Sequence, residues 1–196
     1  MFAGHDTTAL SLSWTLYFIG LDRDIQHRIH EEMDSILGTN RDVTIDDIKQ
    51  MHYLEAVIKE SLRLRPPVPT IIRAIKEDLN LGKYTIPKGV SLCLMIDSLH
   101  QDPDIYPEPL LFKPERFLSE GNSSANPFAY LPFSAGVRNC IGQKFALIEL
   151  KIVLAKVLLN YSFESLDPRD RIIEYNAIVS KPKGGLRVRV SHRSGV

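Results

Sequence analysis

Phe133-Ser134-Ala135-Gly136-Val137-Arg138-Asn139-Cys140-Ile141-Gly142 governs the reading of this 196-residue chain. It leads from an aromatic loop into an apolar-striped helix expected over 141–159, and sets a cysteine just before that helix's free N–H groups. A helix N-terminus carries about half a positive elementary charge, which favours a thiolate, and a soft anion suits iron. Gly136 permits a positive φ and Gly142 permits close approach of a flat ligand. Arg138 offers a cation to a carboxylate, and Phe133 can shield the sulfur. For an isolated cysteine, a buried structural role would be the better reading. The spacing of Phe, Gly, Arg, Cys and Gly together outweighs it.

Outside this stretch the composition is that of one globular unit with a real core, 44% hydrophobic and 24% charged. Lys plus Arg and Asp plus Glu number 24 each, so the net charge is zero and nothing in the balance points to nucleic acid or an anionic membrane. Cys93 and Cys140 cannot make a disulfide framework, and the thiols are expected to stay reduced. The longest apolar runs, such as 152–159 with its interrupting Lys156, are too short to cross a bilayer, and no signal-peptide pattern is read at the start.

Apolar periodicity predicts a first helix over 2–19 that opens abruptly without a capping residue, as though cut, and a second over 22–37 closed by Gly38. Thr44 and Asp47 read as a capping box, and Leu54, Val57, Ile58 and Leu62 stripe a helix that Pro66, Pro67 and Pro69 end near Arg65. The pattern then turns β-rich at 71–75, 84–86 and 90–96, with turns at 80–82 and 87–89, which predicts a small sheet. Residues 101–133 have a linker's composition, yet Phe112, Phe117, Phe128, Tyr130 and Phe133 argue for a packed loop. In the 141–159 helix Phe145, Ile148, Ile152, Ala155 and Leu159 share a face, and 172–180 with 186–190 read as a hairpin through 181–185.

The pattern Phe133-x-x-Gly136-x-Arg138-x-Cys140-x-Gly142 resembles the haem-binding signature of the cytochrome P450 family. In that family a cysteine thiolate pushes electron density toward the haem iron in favour of O–O cleavage, a trait carried here by the resemblance. Other motifs follow in the family's order. Glu60 and Arg63 lie three apart on one helix. Alone such a pair reads as a solvated face worth about 0.5 kcal/mol, but Pro114-Glu115-Arg116-Phe117 matches the downstream element that completes the family's structural triad. Ala3-Gly4-His5-Asp6-Thr7-Thr8 resembles the oxygen-activation motif, in which a helix widens beside the iron and Asp6 and Thr7 would relay protons in a water-poor pocket. Read without the resemblance, Asp6 and Thr7 would be a helix cap. His5 is given no role.

The resemblance implies a mainly α fold with small β-sheets, the C-terminal portion of the cytochrome P450 fold. Residues 1–65 would be its helical part, 66–132 its sheet and packed loop, 133–160 the haem-thiolate loop and helix, and 161–196 the C-terminal hairpin. Cys140 would be the axial ligand of haem b, with Phe133, Gly136, Arg138 and Gly142 around the cofactor. Arg73 would pair with a propionate, its alternative being an outward strand charge, and Ala3, Val68, Ile71 and Ala177 would border the substrate. Asn139-Cys140-Ile141-Gly142-Gln143-Lys144-Phe145-Ala146 is particularly similar to family 4, whose members are mostly microsomal fatty-acid hydroxylases. Two departures stand out: Ala3 replaces a glutamate that can esterify a haem methyl, and Val137 replaces a proline, so haem b is expected to be held covalently only through the Cys140–iron bond.

The implied activity is hydroxylation of a lipophilic substrate, such as a fatty acid or xenobiotic, using dioxygen and electrons from an NADPH-dependent flavoprotein reductase. The implied location is the cytosolic face of the endoplasmic reticulum membrane, through an anchor outside this sequence. Two alternatives stand beside it. A haem-thiolate isomerase or dehydratase would need no Asp6–Thr7 relay, and a truncated, non-catalytic chain would leave apolar surface uncovered and hold haem poorly.

Overall fold

The computed structural model describes residues 2–38, 41–118, 126–176 and 178–193. The first helix, α1 (Phe2–Leu21), buries Trp14, Tyr17, Phe18 and Ile19, and four of its hydroxyls bond its own backbone. Thr7, Ser11, Ser13 and Thr15 each donate to the carbonyl four residues earlier at 2.6–2.8 Å. The helix is α-helical throughout, without the widening that the motif implied.

Helix α2 (Arg23–Leu37) starts on the Asp22 carboxylate and stops at Gly38, whose φ of 59° few other residues adopt. The short α3 (Ile45–Gln50) carries the expected reciprocal Thr44–Asp47 bonds. Arg41 and those Thr44 bonds hold the Asp47 carboxyl well below the usual carboxylate range. Helix α4 (His52–Leu64) has no side-chain cap of its own. Glu32 of α2 supplies one, accepting from the N–H groups of Tyr53 and Leu54 at 2.7 and 2.9 Å.

The small β-sheets are, among the described residues, four two-stranded antiparallel ladders, and the 70–96 region expected to form one small sheet holds two of them. Strand β1 (Thr70–Ala74) pairs with β4 (Ser91–Met95), and β2 (Leu79–Leu81) with β3 (Tyr84–Ile86). Asn80, expected in a turn, is in fact ladder-paired with Thr85, and the chain reverses at Gly82 and Lys83. The 90–96 segment ends as strand at Met95, because Ile96 opens the short helix α5 (Ile96–His100).

The expected C-terminal hairpin is also corrected. Strand β5 (Tyr161–Ser165) pairs with β8 (Val188–His192), while β6 (Glu174–Asn176) pairs with β7 (Ser180–Pro182). The positive φ values of Gly184 and Gly185 redirect the chain from β7 toward β5 instead of back along β6. In the described parts of the 101–133 loop Phe112, Phe117, Tyr130 and Phe133 are packed as expected, while Phe128 is 62% exposed.

Helix α6 (Gln143–Asn160) begins two residues later than the periodicity suggested, and its buried face is Leu150, Lys151, Leu154, Ala155 and Leu158. Phe145 and Ile148 are exposed, since only the later turns of α6 meet the main core built with α1, α2 and α4. The Lys151 ammonium closes the end of α3, donating to the Ile48 carbonyl and to Glu55 at 2.9 and 2.5 Å. Gln26 bonds both backbone groups of Phe163, tying α2 to β5. No helix among the described residues is long and apolar enough to cross a membrane.

Where α1 crosses β5 the backbones nearly touch. A Cβ on Gly20 would lie 2.9 Å from the Ser165 backbone nitrogen and 2.7 Å from its hydroxyl. Gly20→Ala is therefore expected to destabilise the protein by about 1–3 kcal/mol, despite the roughly 1 kcal/mol that alanine gains in a helix. Urea unfolding tests this, and an unchanged or raised midpoint would contradict the close crossing.

Candidate functional site

Arg63 of α4 is fully buried and uses all five of its N–H donors. Two form a fork on Glu60 at 2.7 and 2.8 Å, and three go to the carbonyls of His100, Pro109 and Leu111 at 2.7, 2.8 and 3.2 Å. Glu60 also accepts from the Lys113 N–H at 2.8 Å and from Arg116 Nε at 3.4 Å. Arg116 stands on the short 3₁₀ turn Pro114–Phe117 and donates to the Glu108 carbonyl at 2.9 Å. Glu60, Arg63 and Arg116 thus meet around one carboxylate.

His100, given no role from sequence, carries this arrangement onward. Its Nδ1 faces the Arg63 carbonyl at 3.2 Å, and the Leu131 N–H donates to its Nε2 at 2.8 Å. The ring is therefore neutral with its proton on Nδ1. Tyr130 stacks on it at 5.3 Å and donates its hydroxyl to the Lys59 carbonyl at 2.9 Å. Burial pushes His100 down to about 4 from 6.5.

The cysteine loop hangs from this point. Ser134 N–H donates to the Leu131 carbonyl at 3.1 Å with Ser134 at φ 63°, Gly136 takes φ 78°, and the Cys140 N–H closes the loop on the Phe133 carbonyl at 2.9 Å. Phe133 is half-buried against the main core. Cys140 is exposed, and a Cβ on Gly142 would meet only its sulfur, at 3.9 Å. Helix α6 starts beyond it with neither a side-chain cap nor an acidic residue in its first turn. Arg138 and the apolar side chains of Val137, Ile141 and Phe145 point outward around the sulfur loop. Arg73, on β1, reaches the loop through Nη2 to Ser134 Oγ at 3.4 Å.

A second group of expected site residues lies at the start of α1. Ala3 is exposed, and the Thr7 hydroxyl donates to the Ala3 carbonyl at 2.6 Å. Asp6 pairs with His5 at 3.2 Å and with Lys181 of β7 at 2.9 Å. Val68 and Ile71 are half-buried at the start of β1, and the Ser180 N–H donates to the Pro67 carbonyl beside Val68 at 2.9 Å. Ala177 lies outside the described residues. Among the described residues no hydrogen bond or ion pair joins the α1 group to the cysteine loop.

Sequence reasoning missed His100, Ser134 and Lys181. His100 and Lys181 look like ordinary polar residues beside expected strands, and a positive φ at a serine leaves no trace in composition.

Fold and site define a mainly α protein that presents a cysteine at the foot of a long helix. The family model described as "Cytochrome P450" matches residues 1–188. Cytochrome P450 4c3 of Drosophila melanogaster is 44% identical over 195 residues, 98% of this chain and 36% of the relative. Cytochrome P450 4V2 of Mus musculus is 41% identical over 194 residues, covering 98% of this chain and 37% of the relative. Cytochrome P450 4c21 of Blattella germanica is 43% identical over 171 residues, 87% of this chain and 34% of the relative. The chain belongs to the cytochrome P450 family, and it spans little more than a third of the length of these curated relatives.

The neutral His100 has a measurable consequence. Its folded pKa is depressed, so as pH falls from 6.5 toward about 4 the unfolded chain binds a proton there that the folded one refuses. Stability present above 6.5 should decline across that range by at most about 3 kcal/mol. Urea unfolding across the same pH range, with His100→Gln as comparator, checks this. The variant should lose that part of the pH dependence, and identical slopes would contradict the assignment.

Proposed function

We propose that this chain forms the haem-binding part of a haem-thiolate monooxygenase, with Cys140 as axial ligand of a haem b otherwise held non-covalently. The observation that carries the reading is the exposed Cys140 sulfur, fixed by the Cys140–Phe133 backbone bond at 2.9 Å and backed by glycine at 142. The donor set supports a haem there. A cysteine sulfur, an apolar rim of Val137, Ile141 and Phe145, and the cations of Arg73 and Arg138 match an iron, a flat macrocycle and its propionates.

When bound, the haem supplies activation of dioxygen for insertion of one oxygen atom into a C–H bond. Phe133 limits water around the sulfur, Gly136 takes the positive φ at which the loop turns, and Gly142 leaves the space beside the Cys140 sulfur open. Asp6 holds an ionised carboxylate, lowered by Lys181 and then by His5, and passes protons with the Thr7 hydroxyl at the start of α1. Glu60, Arg63 and Arg116 hold the fold that carries the loop. Ala3, Val68 and Ile71, with Ala177 beyond the described residues, border a lipophilic substrate such as a fatty acid or xenobiotic. Electrons come from an NADPH-dependent flavoprotein reductase, at the cytosolic face of the endoplasmic reticulum membrane. The fatty-acid class is what the resemblance to family 4 implies.

The test is the Soret band of the reduced protein under carbon monoxide, recorded for wild type and Cys140→Ser, with and without any sequence the gene encodes upstream. A red-shifted thiolate-type band that disappears in Cys140→Ser is expected. Haem retained by the longer wild-type protein without such a band would overturn the ligand assignment.

A further inference from the structure

Among the described residues, the lysine that reaches the proposed relay comes from the far end of the chain. Lys181 of β7 lies 2.9 Å from Asp6 Oδ2, with the Asp6 side chain 20% exposed and that of Lys181 38% exposed. We propose that Lys181 is a positioning residue for Asp6, holding its carboxylate at the start of α1 and tying strand β7 to that helix.

An ordinary surface lysine spends much of its attraction on being held still. Here the strand beneath it is already fixed. Ser180 N–H bonds the Pro67 carbonyl at 2.9 Å, and its hydroxyl meets Glu174 at 3.1 Å. Glu174 is paired in turn with Arg65 at 2.6 Å, and Arg65 lies over the ring of Trp14 in α1. Lys181 thus projects from a strand braced on α4 and on the 66–69 segment, so its position relative to α1 is set before the ion pair forms.

The charged and titratable groups around the pair are few. His5 Nδ1 faces the other Asp6 oxygen at 3.2 Å but is 80% exposed, and Tyr175 stands opposite Lys181 in the β6–β7 ladder. The lysine is the principal cause of the lowered Asp6 pKa, and Asp6 in turn raises that of Lys181. A relay carboxylate must be ionised to accept a proton, and must be oriented to pass it on. The fixed ammonium serves both needs, and it makes the β6–β7 hairpin part of the relay's support.

This inference rests on the relay reading of Asp6, so its test separates the two. In the holoenzyme with its reductase, and dodecanoate as the probe substrate, Lys181→Met should cut the hydroxylated product formed per oxygen consumed about threefold at the acid end of the pH profile. The acid limb should move to higher pH, because the folded Asp6 pKa rises once the cation is gone. Lys181→Arg should restore both. The Asp6 carboxyl ¹³C resonance, followed against pH in the diamagnetic ferrous carbon monoxide form, should titrate at higher pH in Lys181→Met. An unmoved titration, or a Lys181→Arg variant no better than Lys181→Met, overturns the inference while leaving Asp6→Asn to report on the relay. Asp6→Asn coupling oxygen consumption to product like wild type overturns the relay and with it any part for Lys181 in the reaction, even where the carboxyl titration still detects the ion pair.

Discussion

Burying the guanidinium of Arg63 is the constraint on which the surrounding structure depends. An unpaired charge at zero exposure would be prohibitively costly, so every donor must find an acceptor, and the planar fork fixes where those acceptors stand. Glu60 takes two, and backbone carbonyls from three separate places, His100, Pro109 and Leu111, take the rest. A loop of irregular backbone is thereby gathered on one point. The stacking of Tyr106 beneath the guanidinium at 4.9 Å fills the remaining side.

From there the order propagates by single hydrogen bonds. His100 passes it to the Leu131 N–H, the Leu131 carbonyl to Ser134, and the Phe133 carbonyl to Cys140. The cysteine therefore has a defined position although its side chain is exposed and its loop contains two residues at positive φ, Ser134 and Gly136. Apolar side chains left outward around such a loop match a large flat cofactor better than solvent. Rigid support beneath, and open apolar surface above, are what the loop needs for the proposed role of Cys140.

Much of this was legible in the sequence, for reasons that differ by element. The capping box at Thr44 and Asp47, the Gly38 stop and the proline-ended α4 were readable because each depends on residues within a few positions. The meeting of Glu60 and Arg63 follows from helical spacing, and that of Arg116 with them was accessible only through motif order. Strand partnership was not legible: β8 lies on β5 instead of on β6, because pairing depends on where glycines redirect the chain. The buried face of α6 was misjudged at Phe145 and Ile148 because periodicity finds an apolar stripe without telling which turns meet the core. Lys181 could not be found at all, since its partner is 175 residues away.

The central claim is that the Arg63 charge holds the cysteine loop through this chain of bonds. Hydrogen exchange on wild type and Arg63→Lys measures it most directly. A lysine has three donors and no fork, so at least two of the five bonds that Arg63 makes to Glu60 and the carbonyls of His100, Pro109 and Leu111 are lost, at a cost of about 3–5 kcal/mol. Protection should fall at the amides of Lys113, Leu131 and Ser134 and extend to Cys140. Loss confined to the residues touching Arg63, with the Cys140 amide as protected as in wild type, would contradict the account.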